Sequence, residues 1–248
     1  MRTWRTVLGA GLLCAFSVAA LAGAEERDEP VLFNKAEGAE VSERMGRDAR
    51  IERSLKACPA DALESERPFW RRFIAAREPS EKVCARHPLD CYDLCVRWSN
   101  SKACFDLALA FDHHSLDVNI FDKHKLFAFA CATGMPGGCT NRAAGIRNGR
   151  YRDDPFRETP LASRQACEFR SFELDCDRRG AWGCAMLGQA YEYGEGVGAN
   201  AARARAAFEA SCTISPKFAA CAFAKRHLER LNAPARPPAI DEGEDESD

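Results

Sequence analysis

The chain has 248 residues and a formal net charge of −2, with 46% hydrophobic and 29% charged residues. Six of its last eight residues are acidic. Without these residues and without the N-terminal segment described next, the chain carries a charge of about +2, so it has no excess of basic residues that would favour nucleic-acid binding. Of the 13 cysteines, 12 lie beyond the N-terminal segment described next, and this even number predicts a disulfide framework formed in an oxidising compartment.

Residues 1–24 have the pattern of a secretory signal peptide. Arg2 and Arg5 form a positive region, the 15 residues 7–21 are apolar, and residues 22–24 are small enough for cleavage. The apolar run is too short for a comfortable membrane span. We therefore predict cleavage after Ala24, a mature chain without a membrane span, and a periplasmic or secreted location.

Two segments precede the regular part of the chain. Residues 25–48 are charged and show little periodicity, which predicts a flexible or loosely helical N-terminal segment. Residues 68–74, Pro-Phe-Trp-Arg-Arg-Phe-Ile, have with their flanks the pattern of an amphipathic helix. Together with Cys58 they are expected to form a degenerate N-terminal cap of a repeat region spanning residues 49–232.

Four cysteine pairs mark an internal repeat. The pairs are Cys95 and Cys104, Cys131 and Cys139, Cys176 and Cys184, and Cys212 and Cys221. Their members are 9, 8, 8 and 9 positions apart, and the first members follow one another at 36, 45 and 36 positions. Phe127, Phe172 and Phe208 stand four positions before three of the first cysteines. The sequence therefore predicts a unit of about 36 residues, repeated once with a nine-residue insertion.

Each unit is predicted to be a pair of helices. Residues that follow the second cysteine at spacings of three and four share one helix face, for example Leu187, Gly188 and Tyr191. In this unit residues 182–193 indicate helix A, residues 194–196 a glycine turn, and alanine-rich residues 201–211 helix B. Because one such hairpin cannot bury its apolar face alone, the pattern predicts an all-α solenoid of stacked antiparallel hairpins.

The turn of this unit resembles the Sel1-like repeat, which is TPR-like. The motif residues are Leu187, Gly188, Tyr191, Gly194, Gly196, Val197, Ala204 and Phe208. Asn200 and Arg203 stand where the family usually has Asp and Lys, and earlier units keep the motif less well, with only Gly149 retained in the third. Since the cysteines are in phase with the repeat, residues 80–230 resemble a Sel1-like repeat protein of the Helicobacter cysteine-rich protein type.

The resemblance implies how the cysteines pair. In the family, a cysteine ending helix B bonds one near the start of the next helix A, which would clip adjacent repeats through the four pairs above. The short connection within each pair agrees with this. In the crowded first unit Cys84 and Cys91 are a further expected pair. Cys58 and Cys167 are left over, because they are far apart in the repeat order; either they are free or one local pair is wrong.

Two clusters contain possible metal ligands. The first is Cys84, His87, Cys91 and Cys95. The second is Asp112, His113, His114, Asp117 and His124. The first has spacings compatible with zinc, but exported thiols oxidise and Cys95 has a partner in phase with the repeat. The second falls at the inter-helix turn of its unit, which favours an exposed polar turn. We expect neither a metal nor a cofactor.

The resemblance also implies a β-lactamase or penicillin-binding activity. Ser99-Asn100-Ser101-Lys102 matches the S-x-x-K element of serine β-lactamases, but it lies in the short connection between two cysteines, and no S-D-N or K-T-G element occurs. Metallo-hydrolase, nucleophile-elbow, phosphate-loop and dinucleotide motifs are absent as well. A β-lactam-binding protein or weak β-lactamase is the alternative function, on the resemblance alone.

The favoured function is a monomeric, non-catalytic scaffold that binds a protein or peptide. Stacked hairpins form a concave groove, usually lined by the A helices. Candidate groove residues on these helices, off the core stripe, are Asp106, Gln189, Glu192 and Arg226. Aromatic residues expected to pack rather than to bind are Trp182, Tyr191 and Phe208. Residues 233–248, first Pro-rich and then acidic, predict a disordered, solubilising or electrostatic tail.

Overall fold

The computed structural model describes residues 32–56, 58–61, 79–114 and 120–233, which belong to the unit Val31–Asp248. These residues form α-helices and one 3₁₀ helix, with no strand among them, so the predicted all-α class is confirmed. The signal peptide, the amphipathic pattern at residues 68–74 and residues 234–248 of the acidic tail lie outside the described residues.

Eleven α-helices follow one another in the described residues. They are α1 Lys35–Arg47, α2 Ala49–Lys56, α3 Glu81–Arg86, α4 Pro88–Trp98, α5 Ser101–His114, α6 Ile120–Ala132, α7 Pro136–Arg147, α8 Leu161–Asp177, α9 Ala181–Tyr193, α10 Ala201–Ile214 and α11 Ala219–Asn232. The 3₁₀ helix, Pro155–Glu158, lies between α7 and α8. In the units defined by the cysteine pairs, α5, α7, α9 and α11 are the A helices.

Local sequence signals set several helix ends. The Asn200 side chain caps α10 by accepting a hydrogen bond from the backbone N–H of Arg203 at 2.9 Å, and Ser80 caps α3 in the same way. Gly194 ends α9 in a left-handed conformation with φ of 73°. The predicted boundaries of helix A and helix B in this unit therefore lie close to those of α9 and α10.

Consecutive helices from α3 to α11 pack on each other, and α9 also packs on α7 and α11. Contacts such as those of α9 with α7 and α11, each two helices away in the chain, arise when successive helix pairs stack in the same orientation. The described residues therefore have a repeat-like architecture. Two hydrophobic cores result. One lies mainly among α1 to α7 and includes Leu107, Phe111 and Phe127; the other lies among α8 to α11 and includes Phe172 and Phe208.

The N-terminal segment expected to be flexible or loosely helical, residues 25–48, contains a packed helix. Asn34 caps α1 by accepting from the backbone N–H of Glu37 at 3.2 Å. Val41 and Met45, one turn apart, are almost fully buried in the first core. Within this segment, residues 35–47 therefore form a packed helix. Although most residues of α1 are polar or charged, Val41 and Met45 form a narrow apolar face that packs against the neighbouring helices.

Five disulfides clip consecutive helices. They are Cys84–Cys91, Cys95–Cys104, Cys131–Cys139, Cys176–Cys184 and Cys212–Cys221. Each connects the second half of one helix to the first half of the next, with Cα atoms between 4.4 and 5.5 Å apart. The disulfide-clipped character expected from the sequence is present.

A sixth disulfide, Cys58–Cys167, joins residues 109 positions apart, so neither cysteine is free and no local pair has to be wrong. It connects the end of α2 to α8. The same region holds the longer connection between α7 and α8, whose Asp154 forms an ion pair with Arg142 of α7. Arg142 also donates to the Ser54 carbonyl of α2 at 2.9 Å. The insertion in the third unit thus anchors the N-terminal helices.

None of the helices in the described residues has the length and apolar character needed to cross a membrane.

Candidate binding groove

A groove with a volume of about 840 Å³ runs across the faces of the A helices. It continues into a second hollow of about 370 Å³, and Asn141 of α7 and Trp182 of α9 line both. The two together are called the A-helix groove below. Its walls come from α5, α7, α9 and α11, with the turn between α8 and α9 at one side.

The floor of the A-helix groove is apolar. Phe105 and Leu109, one turn apart on α5, face Met135 and Trp182 across it. Phe218, which precedes α11, is 49% exposed and stacks edge-on against Trp182 with ring centroids 6.3 Å apart. Phe223 of α11 also packs against Trp182, with ring centroids 5.8 Å apart. Exposed aromatic and aliphatic surface of this kind is typical of sites that bind another molecule.

The acidic residues on one side of the A-helix groove are already paired. Glu81 contacts His113 Nδ1 at 2.8 Å. Asp112 is held by Lys123 and by Arg150 Nη2 at 3.2 Å. Burial raises the pKa of Asp112, but the hydrogen bond and charge of Lys123, helped by Arg150, outweigh burial and keep that pKa below its ordinary value. These carboxylates therefore attract little additional positive charge.

Asp175 at the end of α8 forms the junction with the next helix. It accepts a hydrogen bond from the Thr140 hydroxyl at 2.8 Å and is 6% exposed. Burial raises its pKa, although the bonds from Thr140 and the Gly183 backbone oppose the shift. A Cβ at Gly183 would approach the Asp175 side chain to 2.6 Å. The glycine thus lets α9 come close to this carboxyl.

Basic side chains lie on the other side of the A-helix groove. Arg178 and Arg179 line the A-helix groove at the α8–α9 turn, Lys217 lies next to Phe218, and the Arg226 guanidinium covers the Phe223 ring at 5.8 Å. Among the described residues, none of these four cations lies within ion-pair distance of a carboxylate; Arg178 acts on Asp175 only through its charge. The unpaired charge of the A-helix groove is therefore positive.

The structure separates the four candidate groove residues. Gln189 lines the A-helix groove and accepts from Arg147 Nη2 at 2.7 Å. Arg226 is exposed at its edge. Asp106, which is buried, and Glu192, which is half-buried, do not line it. Asp106 accepts from Lys102 at 2.5 Å, and Glu192 binds His227 and Arg230. The prediction is wrong for these last two, because a carboxylate off the apolar stripe can still face a neighbouring helix.

Among the aromatic residues expected to pack, Tyr191 and Phe208 are buried in the second core. Trp182 is half-buried, packs against the second core and also lines the A-helix groove. Four further residues that line the A-helix groove were not predicted from the sequence: Phe105, Leu109, Met135 and Phe218. An available signal was position relative to the cysteines: Leu109, Ala144 and Gln189 each follow the second cysteine of their unit by five residues, and all three line the A-helix groove.

The repeat-motif residues build the α9–α10 hairpin behind the A-helix groove. Leu187, Gly188, Tyr191 and Ala204 are buried, as is Phe208, whose ring would lie only 2.6 Å from a Cβ on Gly188. Gly194 and Gly196 both have φ of 73°. Val197 packs at the edge of the second core. These residues shape the hairpin and do not line the A-helix groove.

The two possible metal clusters have other arrangements. In the first, Cys84, Cys91 and Cys95 are all in disulfides, so no thiolate is left to bind zinc. In the second, Asp112 and His113 are engaged with Lys123 and Glu81, while His124 is buried. No group of three or more His, Cys, Asp or Glu residues in the described part of the chain is placed to hold a metal ion.

The Ser99–Lys102 element differs from the β-lactamase arrangement. Ser99 ends α4 in a left-handed conformation with φ of 50°, whereas the chemistry requires the serine one turn before the lysine on the same helix. The Lys102 ammonium donates to Asp106 and, at 3.1 Å, to the Pro79 carbonyl. A lysine held by a carboxylate is a poor base for activating a hydroxyl. This geometry does not favour the alternative function.

No protein-family model, curated protein or solved structure matches this chain. The residues and the geometry of the A-helix groove are therefore the basis for a function.

Proposed function

We propose that this protein is an exported, non-catalytic repeat scaffold that binds an extended segment of a protein or peptide in the A-helix groove. The helix pairs would stack as a solenoid of the Sel1-like type, and the disulfides would hold successive pairs in register. The resemblance of residues 187–204 to the Sel1-like repeat points the same way. The groove surface would then be the functional part, with the rest of each hairpin supporting it.

One observation carries the proposal: corresponding positions of successive A helices face one groove. Asn141, Met186 and Phe223 each follow the second cysteine of their unit by two residues, and all line the A-helix groove. Leu109, Ala144 and Gln189 do the same at a spacing of five. Positions two and five share a helix face, so successive units contribute neighbouring strips of one surface, except that Asp106, at position two of the first unit, is buried.

The dimensions suit an extended peptide. Packed helices lie about 8–10 Å apart, so four successive A helices would present a surface about 25–30 Å long. An extended chain rises about 3.3 Å per residue, and a segment of about eight residues would cover that length. The aromatic floor around Trp182 would take apolar side chains, while Asn141 and Gln189 offer hydrogen bonds to a peptide backbone.

Six disulfides among the described residues are typical of a chain that folds in an oxidising compartment. Together with the signal-like pattern of residues 1–24, this supports a periplasmic or secreted scaffold. Binding there would need no cofactor, because the A-helix groove supplies only contacts and charge.

A displayed library of random 12-residue peptides, selected against the purified oxidised protein, tests the proposal. Selected peptides, measured singly by calorimetry, should bind with micromolar dissociation constants. Phe218→Ser should weaken binding at least tenfold by removing an exposed aromatic contact from the A-helix groove. Trp98→Ser is the matched control, because Trp98 is similarly exposed at 52% but lies on α4 outside the groove.

Equal losses in the Phe218 and Trp98 variants, or no selectable peptide, would overturn the proposal. Circular dichroism of each variant separates lost binding from lost folding. A second groove variant, Gln189→Arg, keeps the test decisive if Phe218→Ser unfolds, because Gln189 is half-buried and its replacement blocks the groove without removing core contacts.

A further inference from the structure

We infer that residues 240–248 of the same chain, Ile240 followed by the acidic run, occupy the A-helix groove and compete with any external ligand. The inference rests on the proposed function, because it names an occupant of the same groove. It follows from the groove's chemistry, from the composition of this segment and from the length of chain between the two.

The charges are complementary. Arg178 and Arg179 line the A-helix groove, Lys217 is adjacent in sequence to the lining residue Phe218, and the Arg226 guanidinium lies over the lining residue Phe223. None of these four cations has a carboxylate partner in the described residues, while the acidic side chains Glu81 and Asp112 are paired internally. Residues 241–248 carry six carboxylates and no basic side chain. Exposed cations and an anionic segment on one chain attract each other over about 8–10 Å at physiological salt. Of the sequence outside the described residues, this segment has the highest density of negative charge.

The apolar part is complementary as well. Ile240 immediately precedes the acidic run, and the prolines before it favour an extended backbone. The A-helix groove has its aromatic surface, Trp182 and Phe223, beside its cations. A segment with one branched apolar residue followed by carboxylates therefore fits the floor and the rim together.

The chain is long enough to reach. Helix α11 has 14 residues, so its end lies about 20 Å along the axis from its start at the groove. The seven residues 234–240 span at most about 23 Å when extended. Running back along α11, they would bring Ile240 to Phe223 and Trp182. The eight acidic-segment residues that follow would then extend to Arg178 and Arg179 at the start of α9.

The test uses the full chain and a second full-length form in which the tail is neutralised by Asp241→Asn, Glu242→Gln, Glu244→Gln, Asp245→Asn, Glu246→Gln and Asp248→Asn. The probe is a fluorescent synthetic peptide of residues 238–248, followed by anisotropy at low and high salt. A short linker gives a segment an effective concentration near millimolar. The neutral-tail protein should therefore bind the probe at least tenfold more tightly than the wild type, and added salt should weaken binding.

In the neutral-tail background, Arg178→Gln with Arg179→Asn should lower the probe affinity at least tenfold. Asn is chosen because Arg179 has φ of 65°, a conformation that Asn tolerates. Arg53→Gln, at an exposed arginine of α2, is the control and should change little. Sedimentation at two protein concentrations shows whether the tail acts within one chain, because binding to a second copy would produce dimers.

Several results would overturn the inference. Equal probe binding by the wild type and the neutral-tail protein would show that the tail does not occupy the A-helix groove. Dimers that disappear on neutralising the tail would assign it to a second copy. If the neutral-tail protein binds the library-selected peptides but not the acidic probe, the inference fails and the proposed function stands; if it binds neither, both fail.

Discussion

Arg142 and Asp154 form a bidentate ion pair in which neither side chain is exposed. Arg142 Nε lies 2.8 Å from one carboxylate oxygen, and Nη2 lies 2.9 Å from the other. Arg142 also donates from Nη1 to the Ser54 carbonyl and from Nη2 to the Leu55 carbonyl at the end of α2. One guanidinium therefore satisfies orphan carbonyls of a helix end and a buried carboxylate. It joins α2, α7 and the insertion before α8.

Breaking this pair should be strongly destabilising. Asp154→Asn leaves the buried charge of Arg142 uncompensated, which costs about 3–5 kcal/mol in comparable sites. Urea denaturation of the oxidised protein, followed by circular dichroism, measures the loss. Asp153→Asn is the control, because Asp153 is the exposed neighbour and should change the free energy of unfolding by less than about 0.5 kcal/mol. Similar midpoints for both variants would contradict this account.

The long-range disulfide should stabilise more than a local one. Cys58–Cys167 closes a loop of 109 residues, and on the chain-entropy model this removes about 4.7 kcal/mol from the unfolded state. Cys212–Cys221, with a separation of nine, removes about 2.6 kcal/mol. We expect the double serine variant of the first pair to unfold about 2 kcal/mol more easily than that of the second. The reverse order in denaturant titrations would refute the entropic argument.

Glycine is required at one of two nearby turn positions. Gly196 has φ of 73°, and an added Cβ would approach the Gln165 carbonyl oxygen to 2.2 Å. Gly196→Ala should cost about 1–3 kcal/mol, from left-handed strain and from displacement of α8. Gly198→Ala should be nearly neutral, because nothing lies within 4 Å of its added Cβ. Thermal melts of the two variants test the difference, which vanishes if the turn adjusts freely.

Glu168 should make stability depend on pH. Burial raises its pKa to about 7, against the charges of Arg147 and Arg164, while Glu195 adds to the rise. The folded carboxyl thus keeps its proton to higher pH than the unfolded one, whose pKa is near 4.5. The associated stability is fully present below pH 4.5 and is lost as pH rises to about 7.

Glu168→Gln should remove this loss, which is on the order of 3 kcal/mol for a shift of this size. The quantity to compare is the difference in unfolding free energy between pH 4.5 and pH 7.5, for the variant and for the wild type. Glu209→Gln, at an exposed position of α10, controls for the general effect of removing a carboxylate. An unchanged pH profile in the Glu168 variant would show that this carboxyl is already ionised when buried.

Serine-dependent β-lactam turnover is not expected. The Lys102 ammonium is bound to Asp106, and Ser99 lies outside α5. A chromogenic cephalosporin assay on the oxidised protein should give the same rate for the wild type and Ser99→Ala. Hydrolysis that is lost with Ser99 would replace the scaffold proposal with the enzymatic alternative.

The local parts of the fold were predictable because their signals are local. The glycines at 194 and 196 and the apolar spacing around Leu187 mark the α9–α10 hairpin, and cysteines eight or nine positions apart can meet only across a tight helix connection. These features need no knowledge of distant residues. The same holds for the face formed by Leu109, Ala144 and Gln189, whose spacing from the cysteines is readable from the sequence.

Long-range features were not predictable in this way. The bond between Cys58 and Cys167 depends on where the segment after α2 lies relative to α8, which no sequence spacing encodes. Arg142 is fully buried although arginine usually lies at the surface, because its partner Asp154 comes from an inserted connection. Asp106 was assigned to the groove because helical periodicity separates apolar from polar faces but does not show which polar face a neighbouring helix covers.

The order in which the six bonds can form follows from their connectivity. As the chain emerges from N to C terminus its N-terminal thiols appear first, and the nearest partner available to Cys58 is Cys84, whose native partner is Cys91. If each cysteine paired with the next one to appear, none of the bonds formed up to Cys167 would be native. A chain that had paired in this order would reach the native set only by thiol–disulfide exchange after Cys167 has appeared. A compartment that only oxidises would yield scrambled isomers, whereas one that also contains a disulfide isomerase would yield the stapled fold.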